Sequence, residues 1–185
     1  VTVSLTITST NSPPVSSDIV ASTSEDTPLN STLSGSDPNG DTLTYIIDTQ
    51  PSQWTLVETA TWAFRYTPNA NYFWSDSFTY HVSDATFSST PSTVFLTVTP
   101  VNDVPVATST SFSVIANTLT NSGHILVAAL AGTDVENSPL SFTASTQPTN
   151  GTLVLSSTGA LTYTPALWYV GVDSFTFRVN DGALS

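Results

Sequence analysis

The sequence predicts an all-β protein made of two tandem β-sandwiches. Apolar and polar side chains alternate over short stretches, which is the period of a strand with one buried face. Turns rich in Gly, Pro, Asn and Asp separate these stretches. In addition, landmarks in the first half of the chain recur in the second half at a constant spacing. Repeating units of roughly 90–100 residues with this pattern are typical of β-sandwiches.

The spacing of the repeat is 97 residues. The matched pairs are Thr49-Gln50-Pro51 with Thr146-Gln147-Pro148, Tyr66-Thr67-Pro68 with Tyr163-Thr164-Pro165, Asp76-Ser77-Phe78 with Asp173-Ser174-Phe175, and Asp84 with Asp181. A constant offset through four landmarks indicates an internal duplication.

Alternating apolar faces locate the predicted strands. In the first repeat they are Leu43/Tyr45/Ile47, Phe78/Tyr80/Val82 and Val94/Leu96/Val98, and in the second Leu140/Phe142/Ala144 and Phe175/Phe177/Val179. We identify no convincing helix, so the chain is expected to fold from strands and turns alone.

The composition limits the functions that the chain can have. The formal net charge is −12, with 14 Asp and Glu against two Arg and no Lys. Nucleic acids and anionic membrane surfaces are therefore excluded as partners, since both are bound through Lys and Arg. Bound Ca²⁺ would neutralise the carboxylates, and a solvated acidic surface is the alternative. No apolar run approaches the ~20 residues of a membrane helix, and the absence of Cys excludes disulfides.

The chain begins with a strand pattern that belongs at the end of a domain. Val1, Val3, Leu5 and Ile7 form one apolar face, and the stretch aligns with Val94, Leu96 and Val98 at an offset of 91. The second repeat runs only to Ser185 and has no equivalent of the strand from Thr93 to Thr99. We therefore expect an orphan strand at one end and a vacant strand position at the other.

The expected organisation follows from these alignments. Residues 1–8 are an orphan last strand, 9–14 a linker, 15–100 the first sandwich, 101–105 a second linker, and 106–185 a second sandwich that lacks its own last strand. Two explanations remain open. The orphan strand completes a neighbouring subunit by β-augmentation, giving a head-to-tail filament of copies of the chain, or the 185 residues are one window of a longer covalent array.

Three stretches carry a family resemblance: SEDTPLNSTLSGSDPNGDTLTYII, YTPNANYFWSDSFTYHVSD and TVFLTVTPVNDVPV. They resemble the cadherin-like and bacterial Ig-like tandem repeats of large surface adhesins, and the likeness covers nearly the whole chain. The resemblance implies seven-stranded Greek-key sandwiches in series, an extracellular location at the cell surface, and Ca²⁺ at the junctions between domains.

The resemblance also implies ligands for calcium at the central junction. The set comprises Glu25 from the first repeat, Asn102 and Asp103 from the linker, and Asp134, Glu136 and Asp181 from the second repeat. Hard cations bind several oxygen ligands that converge from separate turns, and this set offers them.

A second and poorer set of ligands is predicted for the other junction. It comprises Asn11, Asp37, Asn39, Asp41 and Asp84. It is poorer because the first linker reads Asn-Ser where the central linker reads Asn-Asp, and the second repeat has no counterpart of Glu25. The stretch DPNGD is alternatively an ordinary β-turn, since all of its residue types favour turns.

Three Trp residues occupy positions at which the second repeat has Gly: at the 97-residue offset, Trp54, Trp62 and Trp74 align with Gly151, Gly159 and Gly171. Because Gly is typical of turns, these Trp are expected to be partly exposed and to form a contact surface for a subunit or for sugar rings. Alternatively, they cap the ends of the sandwich core.

Catalysis is not expected, because neither of the two His lies in a motif with a nucleophile or with metal-ligand spacing. The sequence thus predicts an extracellular structural protein, the subunit or repeat unit of a filament or adhesin stalk that calcium makes rigid. The alternative is an adhesive or carbohydrate-binding module that uses the Trp-bearing loops.

Overall fold

The computed structural model describes residues 2–6, 10–52, 54–115 and 125–185, and these residues form strands, turns and loops without any helix. The predicted all-β fold class is confirmed. No membrane-spanning helix is therefore found in the described ranges. The chain divides into two compact units, which we call unit 1 (Val1–Val101) and unit 2 (Asn102–Ser185).

Nine strands, most of them short, lie among the described residues of unit 1. They are β1 (Val15–Ser16), β2 (Ile19–Ser24), β3 (Leu29–Thr32), β4 (Gly35–Ser36), β5 (Thr44–Ile47), β6 (Trp54–Ala60), β7 (Ala63–Pro68), β8 (Ser75–Ser83) and β9 (Ser92–Thr99).

Two sheets of unit 1 form its sandwich. One has four strands in the order β2-β9-β8-β5, and the other has three in the order β3-β7-β6. Strands β1 and β4 form a separate two-stranded ladder. Strand β2 runs parallel to β9, whereas the remaining pairs are antiparallel. Consequently β9 lies between a parallel and an antiparallel neighbour.

The core of unit 1 follows the predicted alternation. Phe78, Tyr80 and Val82 of β8 are buried, as are Val94, Leu96 and Val98 of β9. They pack with Phe64 and Tyr66 of β7, and the Phe64 and Phe78 rings meet edge to face with centroids 5.2 Å apart. Each such side chain contributes about 1.5–3 kcal/mol through burial, so these two strands supply much of the stability of the unit.

A buried hydroxyl ties the loop around β1 to this core. The Tyr80 hydroxyl oxygen lies 2.6 Å from the Ser17 carbonyl oxygen and 2.7 Å from the Ser34 carbonyl oxygen, and these two acceptors share its one proton. It also accepts a hydrogen bond from Ser34 N at 3.2 Å. The Tyr66 ring is equally buried, but its hydroxyl oxygen has no hydrogen-bond partner among the described residues.

Unit 2 has seven strands among its described residues. They are β10 (Val106–Thr108), β11 (Leu126–Ala129), β12 (Ala131–Thr133), β13 (Ser141–Ala144), β14 (Gly151–Leu155), β15 (Ala160–Pro165) and β16 (Phe177–Asn180). They pair antiparallel as β10-β12, β11-β15-β14 and β13-β16.

The core of unit 2 is smaller than that of unit 1. Its buried cluster is Leu130, Leu153 and Leu161, against which Phe142, Tyr163 and other partly buried side chains pack. Strand β16 begins at Phe177, whereas its counterpart β8 spans nine residues from Ser75 to Ser83. The first six residues of β8 pair with β9, so the shorter β16 reflects an edge that has no such partner among the described residues.

Residues 2–6 form no strand. Val3 and Leu5 are 87% and 84% exposed, because a lone extended segment has no neighbour with which to form a ladder. Val1 and Ile7, the other members of the predicted apolar face, lie outside the described residues. The assignment of this segment as a strand for a neighbouring domain therefore stays a prediction.

Candidate metal centres at the domain ends

In unit 1 the DPNGD stretch is both a turn and part of an acidic cluster. Gly40 N donates to the Asp37 carbonyl at 3.2 Å, which closes a β-turn. The Asp37 Oδ1 atom accepts from Asn39 N at 2.7 Å and from Asp41 N at 3.1 Å. Gly40 has a φ of +80°, which is the left-handed conformation that Gly adopts at low cost. The turn therefore fixes the direction of the Asp37 carboxylate.

Asp84 brings a carboxylate from the end of β8 to the same place. Its Oδ1 accepts from Thr86 N and Phe87 N, both at 2.6 Å. Its Oδ2 accepts from Asn11 Nδ2 at 2.9 Å. One carboxylate oxygen each from Asp37, Asp41 and Asp84 lie within 4.8 Å of one another. Three negative charges this close repel one another unless a cation lies among them.

The linker that leads into unit 1 is held at this cluster. Ser12 N donates to Asn39 Oδ1 at 2.8 Å, and Asn39 Nδ2 donates to the Thr10 carbonyl at 3.3 Å. All five residues of the poorer predicted set thus meet at the N-terminal end of unit 1, joined through hydrogen bonds and close carboxylates.

Unit 2 repeats the arrangement at its own N-terminal end. Asp134 Oδ1 accepts from Ser138 N at 2.8 Å, and Asn137 N donates to the Asp134 carbonyl at 3.3 Å. Asn137 has a φ of +60° and stands at the position of Gly40. This match is possible because Asn tolerates the left-handed conformation better than most residues. The second turn is therefore built as the first one is, without Gly.

In unit 2 the carboxylate of Asp181 is held by the same kinds of hydrogen bond as that of Asp84 in unit 1. Asp181 Oδ1 accepts from Ala183 N and Leu184 N, both at 2.6 Å, and its Oδ2 accepts from Asn102 Nδ2 at 2.6 Å. Glu136 Oε2 accepts from Asp103 N at 3.0 Å, where Asn39 accepts from Ser12 in unit 1. Hydrogen bonds thus pair four residues of the central set within unit 2, Asn102 with Asp181 and Asp103 with Glu136, and Asp134 begins the turn that carries Glu136.

The hydrogen bonds stabilise the charged form of the two late-strand carboxylates. The backbone N–H of Phe87 is the main cause that lowers the pKa of Asp84, and that of Thr86 and the Asn11 amide add to it against the opposing effect of desolvation. The backbone N–H of Leu184 and then the Asn102 amide lower the pKa of Asp181. Both carboxylates are therefore anionic and rigidly aimed at neutral pH.

Other oxygens at these ends still lack donors. Asp37 Oδ2, Asp134 Oδ2 and Glu136 Oε1 are buried and have no hydrogen-bond partner among the described residues. No Arg of the described ranges lies within 4 Å of a carboxylate there, since the ion pair found joins His81 to Asp48 at 2.7 Å. Buried carboxylate oxygens without donors and without cationic side chains fit Ca²⁺, which binds oxygen alone.

Glu25 lies at the other end of unit 1. It is 2% exposed, and its Oε1 accepts from Val101 N at 2.6 Å. Its own N–H donates to the Thr99 carbonyl at 2.9 Å. This residue thus fixes the point at which the chain leaves unit 1. Its membership in the central calcium set stays a prediction.

The three Trp residues have different environments. Trp54 lies in β6 and packs on the core, with its ring centroid 4.4 Å from that of Tyr66 and 4.8 Å from that of Tyr72. Trp62, in the turn between β6 and β7, and Trp74 are 53% and 64% exposed. Trp54 was expected to lie in a turn because Gly151 aligns with it. Both residues instead lie in strands, Trp54 in β6 and Gly151 in β14.

Asp173, a landmark of the repeat, is held by the fold more strongly than its place in the sequence predicts. Asp173 accepts from Asn150 N at 2.8 Å, from Thr149 N at 3.0 Å and from the Tyr163 hydroxyl at 2.9 Å. Desolvation acts to raise the pKa of Asp173, but these hydrogen bonds outweigh it and lower the pKa. The recurrence of Asp76 as Asp173 was the signal, and in unit 1 Asp76 likewise accepts from Ser52 N at 3.0 Å.

Two β-sandwich units with the same acidic N-terminal end define a class of tandem extracellular-type repeat. Residues 11–97 match the family model described as a bacterial Ig domain, and residues 102–185 match the one described as a bacterial cadherin-like domain. Each model thus covers one of the two repeats, and together the two matches confirm the resemblance to cadherin-like and bacterial Ig-like repeats that the sequence predicted. Both are families of non-enzymatic domains of the adhesion type, typical of extracellular or surface-exposed proteins.

Solved structures of cadherins share the fold. Human CDH23 EC21-23 is 17% identical with a TM-score of 0.62, over 93% of this chain and 65% of that one. The protocadherin GammaB4 extracellular domain is 20% identical with a TM-score of 0.54, over 92% of this chain and 32% of that one. At these identities the likeness shows the fold alone.

An endo-fucoidan hydrolase from glycoside hydrolase family 107 also matches, at 23% identity and a TM-score of 0.42. The match covers 93% of this chain but only 27% of the hydrolase, and this TM-score is too low to carry an argument about function. A search of curated proteins found no match.

Proposed function

We propose that the chain is a structural segment of an extracellular adhesin stalk or surface filament, with Ca²⁺ bound at the N-terminal end of each unit. The observation that carries the proposal is the repeated acidic end. In both units the linker Asn donates to the late-strand Asp, and the carboxylate of the turn Asp accepts from the backbone N–H four residues later. A constellation kept in both copies while the neighbouring residues differ serves a shared purpose.

The proposed ligands in unit 1 are Asp37, Asp41 and Asp84. In unit 2 they are Asp103, Asp134, Glu136 and Asp181. A bound cation would neutralise carboxylates that are otherwise close to one another, and it would tie the linker to a turn and a strand end. The role is mechanical, because a linker held at the domain end bends less than a free one does.

Calcium binding is tested with the intact chain. We expect titration of Ca²⁺ to give a dissociation constant of about 10⁻⁴–10⁻³ M, which is the range of extracellular modules. Calcium at about 100 times that constant should stabilise the occupied unit by ~2.7 kcal/mol. Both effects should reverse with EDTA, and NaCl of matched ionic strength should not reproduce them.

Matched variants locate the sites. Asp37→Asn and Asp134→Asn keep the oxygen that accepts the turn hydrogen bonds and remove only the charge, so the turns should persist. Each should weaken Ca²⁺ binding at its own unit at least ~10-fold. Glu58→Gln is the control, since Glu58 is an exposed residue of β6 and the change removes the same charge. Equal effects of all three variants, or a wild-type chain that does not respond to calcium, would refute the calcium sites.

A second candidate function is glycan binding through the exposed aromatic residues of unit 1. The observation that favours it is the stacking of Phe73 on Trp74, with centroids 5.3 Å apart and an interplanar angle of 25°, beside a Trp74 side chain that is 64% exposed. Exposed aromatic faces stack on sugar rings. Quenching of Trp fluorescence by oligosaccharides, abolished in Trp74→Ala, would favour this function; unchanged fluorescence would favour the structural one.

A further inference from the structure

Unit 1 shows how a last strand completes this sandwich. Strand β9 pairs with β2 in parallel, with Val94 beside Ile19 and Leu96 beside Ala21. It pairs with β8 in antiparallel register, with Phe78 beside Val94. The three apolar side chains on the inner face of β9, those of Val94, Leu96 and Val98, are at most 2% exposed. The last strand therefore closes both the hydrogen-bonding edge and the core of the unit.

Unit 2 has the two flanking segments, and among its described residues no strand lies between them. The counterparts of β2 and of the first half of β8 are residues 110–115 and 172–176, and neither segment forms a strand. The two segments line opposite sides of a groove of about 500 Å³, whose floor includes Leu130, Tyr163 and Phe177. The groove occupies the position that β9 fills in unit 1.

The segments that line the groove carry exposed apolar side chains. Val172 is 93% exposed, Val170 is 76% exposed and Phe112 is 41% exposed. Unpaired backbone along an apolar groove is the arrangement to which an added β-strand binds, with main-chain hydrogen bonds for affinity and alternate side chains for specificity.

We propose that residues 1–8 of a second copy of this chain occupy the groove of unit 2 as its last strand. Val3 and Leu5 stand at the positions of Val94 and Leu96, and both are almost fully exposed in the single chain. The pairing of unit 1 predicts the register: Val3 beside Thr110 and Phe175, and Leu5 beside Phe112 and Asp173. The strand runs parallel to residues 110–115 and antiparallel to residues 172–176.

The orientation makes the assembly open. The donated segment precedes unit 1 and the groove belongs to unit 2, so one copy can donate its segment to a second copy and accept that of a third. Such a heterologous contact generates a filament and not a closed dimer, unless the rotation happens to form a ring. This inference rests on the head-to-tail part of the proposed function and does not depend on calcium.

The first test measures the self-association of the intact chain by sedimentation velocity from about 1 to 200 µM. We expect oligomers that lengthen with concentration. Leu5→Asp should weaken the association at least ~100-fold, because it places a charge where an apolar side chain is buried. The control is Ser4→Asp, which adds the same charge at the position of Phe95, a residue that is 49% exposed. Neither residue contacts the core of its own unit, so both variants should fold.

The second test adds the synthetic peptide VTVSLTIT to the Leu5→Asp chain. We expect one peptide to bind per chain and to protect the backbone amides of residues 110–115 and 172–176 from hydrogen exchange. A peptide with Asp in place of Leu should not protect them. A chain that stays monomeric at 200 µM would overturn the second copy as the occupant, even if the peptide binds. Equal association of Leu5→Asp and Ser4→Asp would overturn the strand itself.

Both tests are repeated in EDTA. Association and protection that persist without Ca²⁺ support the strand whatever the result of the calcium titration. Calcium binding with no association supports the metal sites and refutes this inference. The two proposals can therefore fail separately.

Discussion

Two buried tyrosines of unit 1 allow a matched test of how polar groups act in this core. Tyr80 and Tyr66 are both fully buried. The Tyr80 hydroxyl contacts the Ser17 and Ser34 carbonyls and Ser34 N, whereas the Tyr66 hydroxyl has no partner among the described residues. Replacing each by Phe removes one oxygen and leaves the ring in place, so packing changes little.

The expected effects differ in size and in sign. Tyr80→Phe leaves backbone groups near β1 without their partner, and an unsatisfied buried group costs about 1–3 kcal/mol, so we expect a loss in that range. Tyr66→Phe removes a hydroxyl that is buried without compensation, which is itself unfavourable, and we expect no loss of stability or a gain of up to about 1 kcal/mol. Burial also raises the pKa of Tyr66, as expected for a hydroxyl that is kept from water.

The assay is urea unfolding followed by far-UV circular dichroism, with Trp fluorescence as a second probe. Three of the four Trp lie in unit 1, so fluorescence reports mainly on that unit. Midpoints should shift at an unchanged m-value, since the surface exposed on unfolding is the same. If Tyr66→Phe is as destabilised as Tyr80→Phe, or if Tyr80→Phe unfolds at the wild-type midpoint, the assignment of these hydrogen bonds is wrong.

Two further predictions concern unit 2 and the acidic ends. Hydrogen bonding lowers the folded-state pKa of Asp84, Asp173 and Asp181 below the ordinary value of 3.8. Their stabilisation is therefore complete above about pH 5 and is lost as the pH falls through 4 toward their folded pKa values, so urea midpoints should decline over that interval; midpoints that do not change between pH 5 and 3 would contradict this. Gly151→Ala should destabilise unit 2 by about 1–3 kcal/mol, because an added Cβ would lie 2.6 Å from Cζ of the Tyr163 ring, whose hydroxyl is held by Asp173. The matched change Gly182→Ala adds a methyl group that meets no atom within 4 Å, but it strains the backbone, because Gly182 has a φ of +98°. Comparing the two variants separates the effect of overlap with Tyr163 from the effect of backbone strain.

The sequence predicted the strands well where one face is fully buried. Phe78, Tyr80 and Val82 alternate because β8 has one face in the core, and a period of two encodes that face directly. The division of the first strand into β1 and β2, with β2 parallel to β9, was not predicted. It depends on which backbone edge each short segment meets, and residues 15–24 carry no pattern that distinguishes an antiparallel neighbour from a parallel one.

The sequence predicted which residues belong to the candidate site better than it predicted how they are arranged. The sequence predicts that the ligand set with Asn11, Asp37 and Asp84 is the poorer of the two calcium sets. The reason is that its linker has Ser12 where the central linker has Asp103. In the structure the converging carboxylates of unit 1 come from the turn and from the end of β8, which the linker residue does not affect. Trp54 shows the opposite case. Its Gly counterpart suggested a turn, but Gly151 is a strand residue that leaves room for the Tyr163 ring.

The parallel pairing of β2 with β9 determines how unit 1 responds to mechanical tension. The chain enters the sandwich through β2 and leaves it through β9, so a pull on the two ends draws these neighbouring strands in opposite directions along their length. The six residue pairs from Ile19↔Val94 to Ser24↔Thr99 are then loaded in shear and must fail together. In the proposed assembly, the strand donated between copies runs parallel to residues 110–115 and would bear the same load. A non-covalent joint of this kind resists extension with the strength of a folded domain, and does not peel open one hydrogen bond at a time.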